Sequence, residues 1–240
     1  MTTIKRTKTR DFTLVELLVV IVIISIILSL TAPAFTRIMV GNSVDSAARM
    51  VSSQLMLARA EAIARRKYVA VIMPGSSIQA PTTSTEVYNS QSFRTAYVEP
   101  DSGDDFKLTE WVPGTQWSFL PKGALIAALD SDNSSLKQET DPDDATKKIW
   151  VPKGDAWTPE DGSSITSVKE DSVKVIEGAT NDTSIRAVVF KPNGRTVKRM
   201  FITVMEGICA DNDSSIERKN TNNIRVMEIN AYTGQVQYIY

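Results

Sequence analysis

The hydrophobic pattern is most uneven at its start. Residues 12–35 read FTLVELLVVIVIISIILSLTAPAF, and Glu16 is the only ionisable side chain among them. At ~1.5 Å per residue a helix from Phe12 to Ala34 would be about 34 Å long, the thickness of a bilayer's hydrocarbon core. The pattern therefore predicts a membrane-spanning helix over 12–34. Further on, apolar residues recur at Val44, Ala47, Ala48, Val51, Leu55, Ala58 and Ala62, with Arg49, Gln54, Arg59 and Glu61 mostly off that stripe. Spacings of three and four mark one face of an amphipathic helix. Arg65, Arg66 and Lys67 cluster where it should stop, favourable against the negative end of a helix dipole. The expectation is a single long helix over 12–67, roughly 80 Å from end to end. It is apolar all round over 12–34 and amphipathic over 35–67. Pro33 should kink it by removing a backbone donor, and Gly41-Asn42 is a second weak point.

From Tyr68 the pattern changes to short β-type runs. Candidate strands are 68–73, 93–98, 116–120, 149–151, 173–176, 185–191, 197–204, 224–230 and 235–240. Pro74-Gly75 ends the first of them. Pro192-Asn193-Gly194-Arg195 and Tyr232-Thr233-Gly234 read as hairpin turns, because a tight return needs positive φ angles that Asn and Gly tolerate. Between about 76 and 181 the chain is rich in Ser, Thr, Asp, Pro and Gly, with Trp111, Trp117, Trp150 and Trp157 scattered through it. That stretch is expected to form long surface loops and short strands inserted into a smaller core. The fold class expected is α+β: a long N-terminal helix packed on an antiparallel β globular domain over 68–240.

Charge sharpens the reading of the N-terminus. Lys5, Arg6, Lys8 and Arg10 all precede the apolar run, and Asp11 is the one acid before it. By the positive-inside rule this basic leader, 1–11, stays in the cytoplasm and the rest of the chain lies across the membrane. A secretory signal peptide fits poorly, since the apolar region is too long. A carboxylate in a spanning helix costs roughly 2.5–3.5 kcal/mol at its centre and less near an end, so Glu16 calls for a partner. If the chain were cut before Phe12, the new amine of one subunit could neutralise Glu16 of its neighbour. Anchor helices would then pack side by side with a fixed axial stagger.

Phe12-Thr13-Leu14-Val15-Glu16, a basic leader before it and the apolar stretch Leu17 to Leu30 after it, resemble the class III signal of type IV prepilins and pseudopilins. Pro33 falls where that family carries a proline in the anchor helix. The resemblance implies cleavage between Asp11 and Phe12 by a prepilin peptidase, N-methylation of Phe12, and assembly guided by Glu16 and Pro33. The family has Gly immediately before the cut bond, and here that position is Asp11, so cleavage is inferred from position. Leu55 to Arg65, LMLARAEAIAR, also resembles the A-R-x-E-A-I-x-R signature of the GspH/FimT branch of minor pilins. The implied fold is pilin-like. The implied role is a structural minor subunit of a type II secretion pseudopilus or type IV pilus in the bacterial inner membrane, with a periplasmic C-terminal domain, and not an enzyme. Implied partners are other pilins or pseudopilins, the prepilin peptidase, the inner-membrane assembly platform and the lipid bilayer. Arg59 and Glu61 themselves read as a solvated helix face.

Composition excludes more than it adds. Net charge is -1, from 27 basic and 28 acidic residues. The absence of histidine removes the commonest general base and most zinc sites. Cys209 is the one cysteine, so there is no intrachain disulfide, and it reads as a small apolar residue. Aspartates cluster at Asp101/Asp104/Asp105, Asp130/Asp132, Asp141/Asp143/Asp144 and Asp211/Asp213. None follows a calcium-loop spacing, and solvated turns are the expectation, with no metal and no cofactor. Some FimT-like minor pilins act in DNA uptake, which makes DNA capture the alternative function. Arg195, Lys198, Arg199, Arg218 and Lys219 are its best support, but phosphate binding needs a denser basic surface, and nucleic acid is not the expected partner. A signal-anchored exported enzyme would need convergent titratable residues that the sequence does not offer.

Overall fold

The computed structural model describes residues 13–75, 88–103, 105–130, 136–140, 146, 148–152, 166–169, 173, 175, 185–209 and 216–239. Within them, the side chains of 30–41, 128, 130, 136–139, 148–152, 209 and 216–222 lie outside the description. The backbone is helical over α1 (Leu14–Arg65). The chain divides into two compact units, Met1–Met39 and Val40–Tyr240.

In the first unit, Thr13 caps the helix. Its hydroxyl accepts the Glu16 amide at 3.2 Å, and its carbonyl accepts the Leu17 amide. Those groups would otherwise be among the unpaired donors of a helix start. Pro33 lies on helical backbone, while Asp11 and Phe12 fall outside the described residues.

In the second unit, the predicted stripe is the buried one. Val44, Ala47, Ala48, Val51, Leu55, Ala58 and Ala62 are each at most 1% exposed. After Arg65 the chain turns in one residue: Arg66 takes a left-handed φ of 55°, the cap geometry that usually selects glycine. It then enters β1 (Tyr68–Ile72).

Two sheets receive the helix. β1 pairs with both β2 (Ser92–Pro100) and β9 (Ile185–Phe190). β2 pairs with β3 (Asp105–Trp111), β3 with β8 (Ser167–Lys169) in parallel, and β8 with β9. The five strands thus close on themselves, and closure leaves no free edge among them. Side chains alternate across this ring as the strand period of two requires. Ala70, Ile72, Ala96, Leu108, Ala187 and Val189 fill its interior cluster, while Val69, Val71, Met73, Tyr97, Val188 and Phe190 join the cluster that contains the helix stripe. β4 (Ser118–Phe119) extends β2. The second sheet runs β12 (Val236–Tyr238), β11 (Ile216–Ile229), β10 (Met200–Cys209), β5 (Ala124–Asp130), and Leu125, Ile126, Ile202 and Met227 complete the same core. β6 (Leu136–Thr140) and β7 (Lys148–Pro152) form a separate hairpin.

The α+β expectation with antiparallel sheets holds, with β3–β8 the parallel exception. Several local expectations do not. The stretch 76–181 supplies β2, β3, β5 and β8, which build the ring and the core instead of decorating them. β3 was hidden because in DFKLTEW the apolar alternation is limited to Phe106 and Leu108 before Thr109-Glu110 interrupts it, yet both are buried in the ring's cluster. Val173 and Val175 are not in a strand, although Val175 is buried in the ring. The Pro192–Arg195 turn forms as read: Gly194 has φ 78° and Lys191 bonds across it to both Gly194 and Arg195. It closes only a single bridge, Phe190 to Thr196, because β9 belongs to the ring and β10 to the other sheet. The strand expected over 197–204 therefore starts at Met200.

Burial sets the first prediction. Leu55 is fully buried and Leu57 is 60% exposed on the same helix. Leu55→Ala should destabilise the second unit by about 2–5 kcal/mol, and Leu57→Ala should stay within about 0.5 kcal/mol. Urea unfolding of the two variants checks both.

Candidate functional site

Over its described side chains, to Ser29, the helix of the first unit has no polar face. Its large apolar side chains from Leu14 to Leu28 range from 44% exposed at Val20 to 80% at Leu14. A monomer in water rarely exposes contiguous apolar surface beyond a few hundred Å², and a helix apolar on every side is normally buried in protein or lipid. The hydroxyls of its two serines are turned inward on the helix: Ser25 donates to the Ile21 carbonyl and Ser29 to that of Ile26, each at 2.7 Å. Such back-bonding leaves no polar group of those residues seeking water. Glu16 is the one ionisable group among the described side chains of this helix, exposed in the first turn. Among the described residues no helix is long and apolar enough to cross a membrane. The described side chains of this segment run from Thr13 to Ser29, about 24 Å of helix; the apolar run continues in sequence to Phe35.

Sequence reasoning did not anticipate the part Thr13 plays. The signal was present as T-x-x-E, the capping-box pattern, which also accounts for an acidic residue in the first turn beside the positive end of the helix dipole. Glu16 thus sits in the first turn, where the helix dipole favours a negative charge.

Arg59 and Glu61 depart from the solvated-face reading. Arg59 Nε donates to the Gly194 carbonyl oxygen at 3.2 Å. Gly194 and Gly234, both at positive φ, stack there: a Cβ on Gly234 would overlap the Gly194 carbonyl and touch Arg59. One helix side chain therefore meets two turns, the crossing from β9 to β10 and the turn between β11 and β12. Glu61 accepts the Tyr97 hydroxyl at 2.5 Å and pairs with Arg65 at 3.2 Å. The carboxylate, acting as acceptor, raises the Tyr97 pKa. These residues fasten the helix to the sheets.

Several of the remaining candidates make structural contacts, while Arg195 is exposed. Asp101 pairs with Lys107 at 2.9 Å and lies 3.8 Å from Lys169, and Asp105 pairs with Lys169 at 2.9 Å and accepts the Ser167 hydroxyl. This network bridges the β3–β8 seam. Among the described residues no three Asp, Glu, Cys or His side chains converge on a metal position. The other aspartate clusters and the Cys209 side chain lie outside the description. Of the basic residues considered for DNA, Arg199 is bound to Glu228 at 2.6 Å and lies over the Phe201 ring; the side chains of Arg218 and Lys219 lie outside the description.

Two predictions follow from these contacts. Gly234→Ala should cost about 2–4 kcal/mol, combining a left-handed backbone with overlap on Gly194, as measured by thermal unfolding. The bonds from Ser167 and Lys169 hold the Asp105 carboxyl below its ordinary value. Its stabilising contribution is thus complete above about pH 4 and is lost as pH falls through the lowered folded-state value. Asp105→Asn should flatten the acid limb of a stability-against-pH curve and leave the neutral region's slope unchanged.

No family model and no curated protein matches the chain. Among solved structures it is similar to the minor pseudopilin EpsH from the Type 2 Secretion System of Vibrio cholerae, with 11% sequence identity over 82% of this chain and 94% of that one, at a TM-score of 0.36. An overlap of that size leaves the function to be argued from this chain's own residues.

Proposed function

We propose that the chain is a structural, non-enzymatic subunit of a type IV pilin-like filament, a minor pilin or type II secretion pseudopilin held in the inner membrane by its N-terminal helix. The observation that carries this reading is the helix from Leu14 to Ser29, apolar on every side with Glu16 as its one charge. Lipid covers that surface before assembly, and the helices of neighbouring subunits cover it afterwards. Residues 12–34 form the span, the basic leader 1–11 stays cytoplasmic, and the second unit lies outside. The prepilin peptidase cuts between Asp11 and Phe12, Phe12 is N-methylated, and its amine meets Glu16 of an adjacent subunit. Packing supplies most of the association energy and the charge pair sets the stagger. Pro33 breaks one backbone bond in the helix and gives it a place to bend during extraction from the bilayer.

Glu16→Ala should leave membrane fractionation unchanged and reduce incorporation into sheared filaments at least about tenfold, since a lost charge pair of ~1.4 kcal/mol is a factor of ten in an equilibrium constant. Normal incorporation of that variant would remove the assigned role. Mass spectrometry of the mature N-terminus should find methylated Phe12, and an intact leader would rule out the pairing.

A further inference from the structure

The turn under the end of α1 carries the sequence's one Asn-Gly pair, Asn193-Gly194. Asn followed by Gly is the pairing most prone to lose its side-chain amide, because no side chain shields the next backbone nitrogen. That nitrogen attacks the asparagine Cγ, a C–N bond forms, the Cγ–Nδ2 bond breaks and ammonia leaves. Water then opens the cyclic imide at either carbonyl, giving aspartate or isoaspartate, and the second carries one extra methylene in the main chain. Asn193 is exposed, so water reaches it. Its neighbour is covered: Gly194 is buried, and its N–H donates to the Lys191 carbonyl at 2.8 Å. An imide nitrogen has no hydrogen, so that bond must be given up before the ring can close. Asn193 Oδ1 accepts the Arg195 N–H at 3.1 Å, which holds the side chain in place as well.

The helix keeps this turn closed. Ile63 lies so near Gly194 that a Cβ there would come within 2.7 Å of its Cδ1, and Arg59 Nε donates to the Gly194 carbonyl oxygen at 3.2 Å. The Gly234 turn is stacked on the same carbonyl. We propose that Asn193-Gly194 is a covalent modification site gated by α1, sealed while Arg59 and Ile63 cover the turn and converted to aspartate and isoaspartate when they lift from it. The two products then differ. The aspartate keeps the original main chain and an oxygen for the Arg195 N–H, so the turn closes again under the helix. The isoaspartate has to place its extra methylene where the turn already meets Ile63, Arg59 and Gly234, and close-packed contacts leave no room for one. Conversion to isoaspartate is therefore one-way, a permanent record that the helix and the turns have come apart. The inference rests on the second unit alone and is independent of the filament reading.

The test ages the full chain in nanodiscs at mildly alkaline pH beside the synthetic peptide KPNGRT, and reads conversion by mass spectrometry of peptic fragments. Asn193 of the folded chain should convert at least about tenfold more slowly than the peptide, in step with hydrogen exchange of the Gly194 amide, since one opening controls both. Arg59→Ala and Ile63→Ala should each speed conversion at least about threefold while amide exchange in β2 stays at the parent's level. Met56→Ala, exposed on the same helix, should leave the rate unchanged. For the second step, chain aged in urea and returned to buffer contains both products, whose fragments separate by chromatography. Those with isoaspartate should exchange the 191–195 amides at least about tenfold faster than those with aspartate, and Asn193→Asp should exchange like the parent chain. Conversion of the folded chain at the peptide's rate, an unchanged rate in either Arg59→Ala or Ile63→Ala, or equal protection of the two products would each overturn the proposal. None of these readouts depends on Glu16, so failure here is distinguishable from failure of the filament assignment.

Discussion

Apolar side chains facing every direction around a helix cannot remain in contact with water. From Leu14 to Leu28 the chain carries such a surface with one carboxylate at its start. Each buried methylene gains about 0.8 kcal/mol, so covering a dozen large apolar residues outweighs any single polar contact the protein makes. What covers them decides where the molecule lives. The hydroxyls of Ser25 and Ser29, turned back onto their own helix, show the same segment already freed of polar demands. The second unit needs none of this, since it owns two hydrophobic clusters of its own.

The second unit depends on α1 in a different way. The stripe from Val44 to Ala62 is the shared floor on which the closed strand ring and the four-stranded sheet both rest. Small residues dominate that stripe, so the sheets approach the helix closely, and polar contacts then fix its position. Arg59 reaches the stacked turns at Gly194 and Gly234, Glu61 reaches Tyr97, and Gln54 donates to the Thr95 hydroxyl at 2.5 Å.

Legibility in the sequence followed the strength of the local signal. The helix stripe was readable residue for residue because its period persists over five turns. β1, β2, β9 and the final hairpin were readable because apolar runs there are bounded by Pro, Gly or Asn. β3 and β8 were not, since their burial comes from closing a ring between residues far apart in sequence, which no local window contains. β5, ALIAALD, lacks the alternation of a half-buried strand, because it is covered on both sides. The turn after β9 was legible as a turn but not as a crossing between sheets. At the candidate site, the apolar helix and Glu16 were plain from composition alone. The cap from Thr13 was written in T-x-x-E and passed over. Arg59 and Glu61 looked solvated because their partners outside the helix, Gly194 and Tyr97, lie 36 or more residues away.

The central claim is that the first unit's helix is covered by lipid and then by like helices. It is tested most directly by a photo-crosslinking amino acid placed at Ile23 and activated in intact cells with the assembly machinery present. The account predicts crosslinks to lipid when assembly is blocked and to the apolar helix of a neighbouring subunit when it proceeds. A product consisting only of uncrosslinked, membrane-free monomer would contradict it.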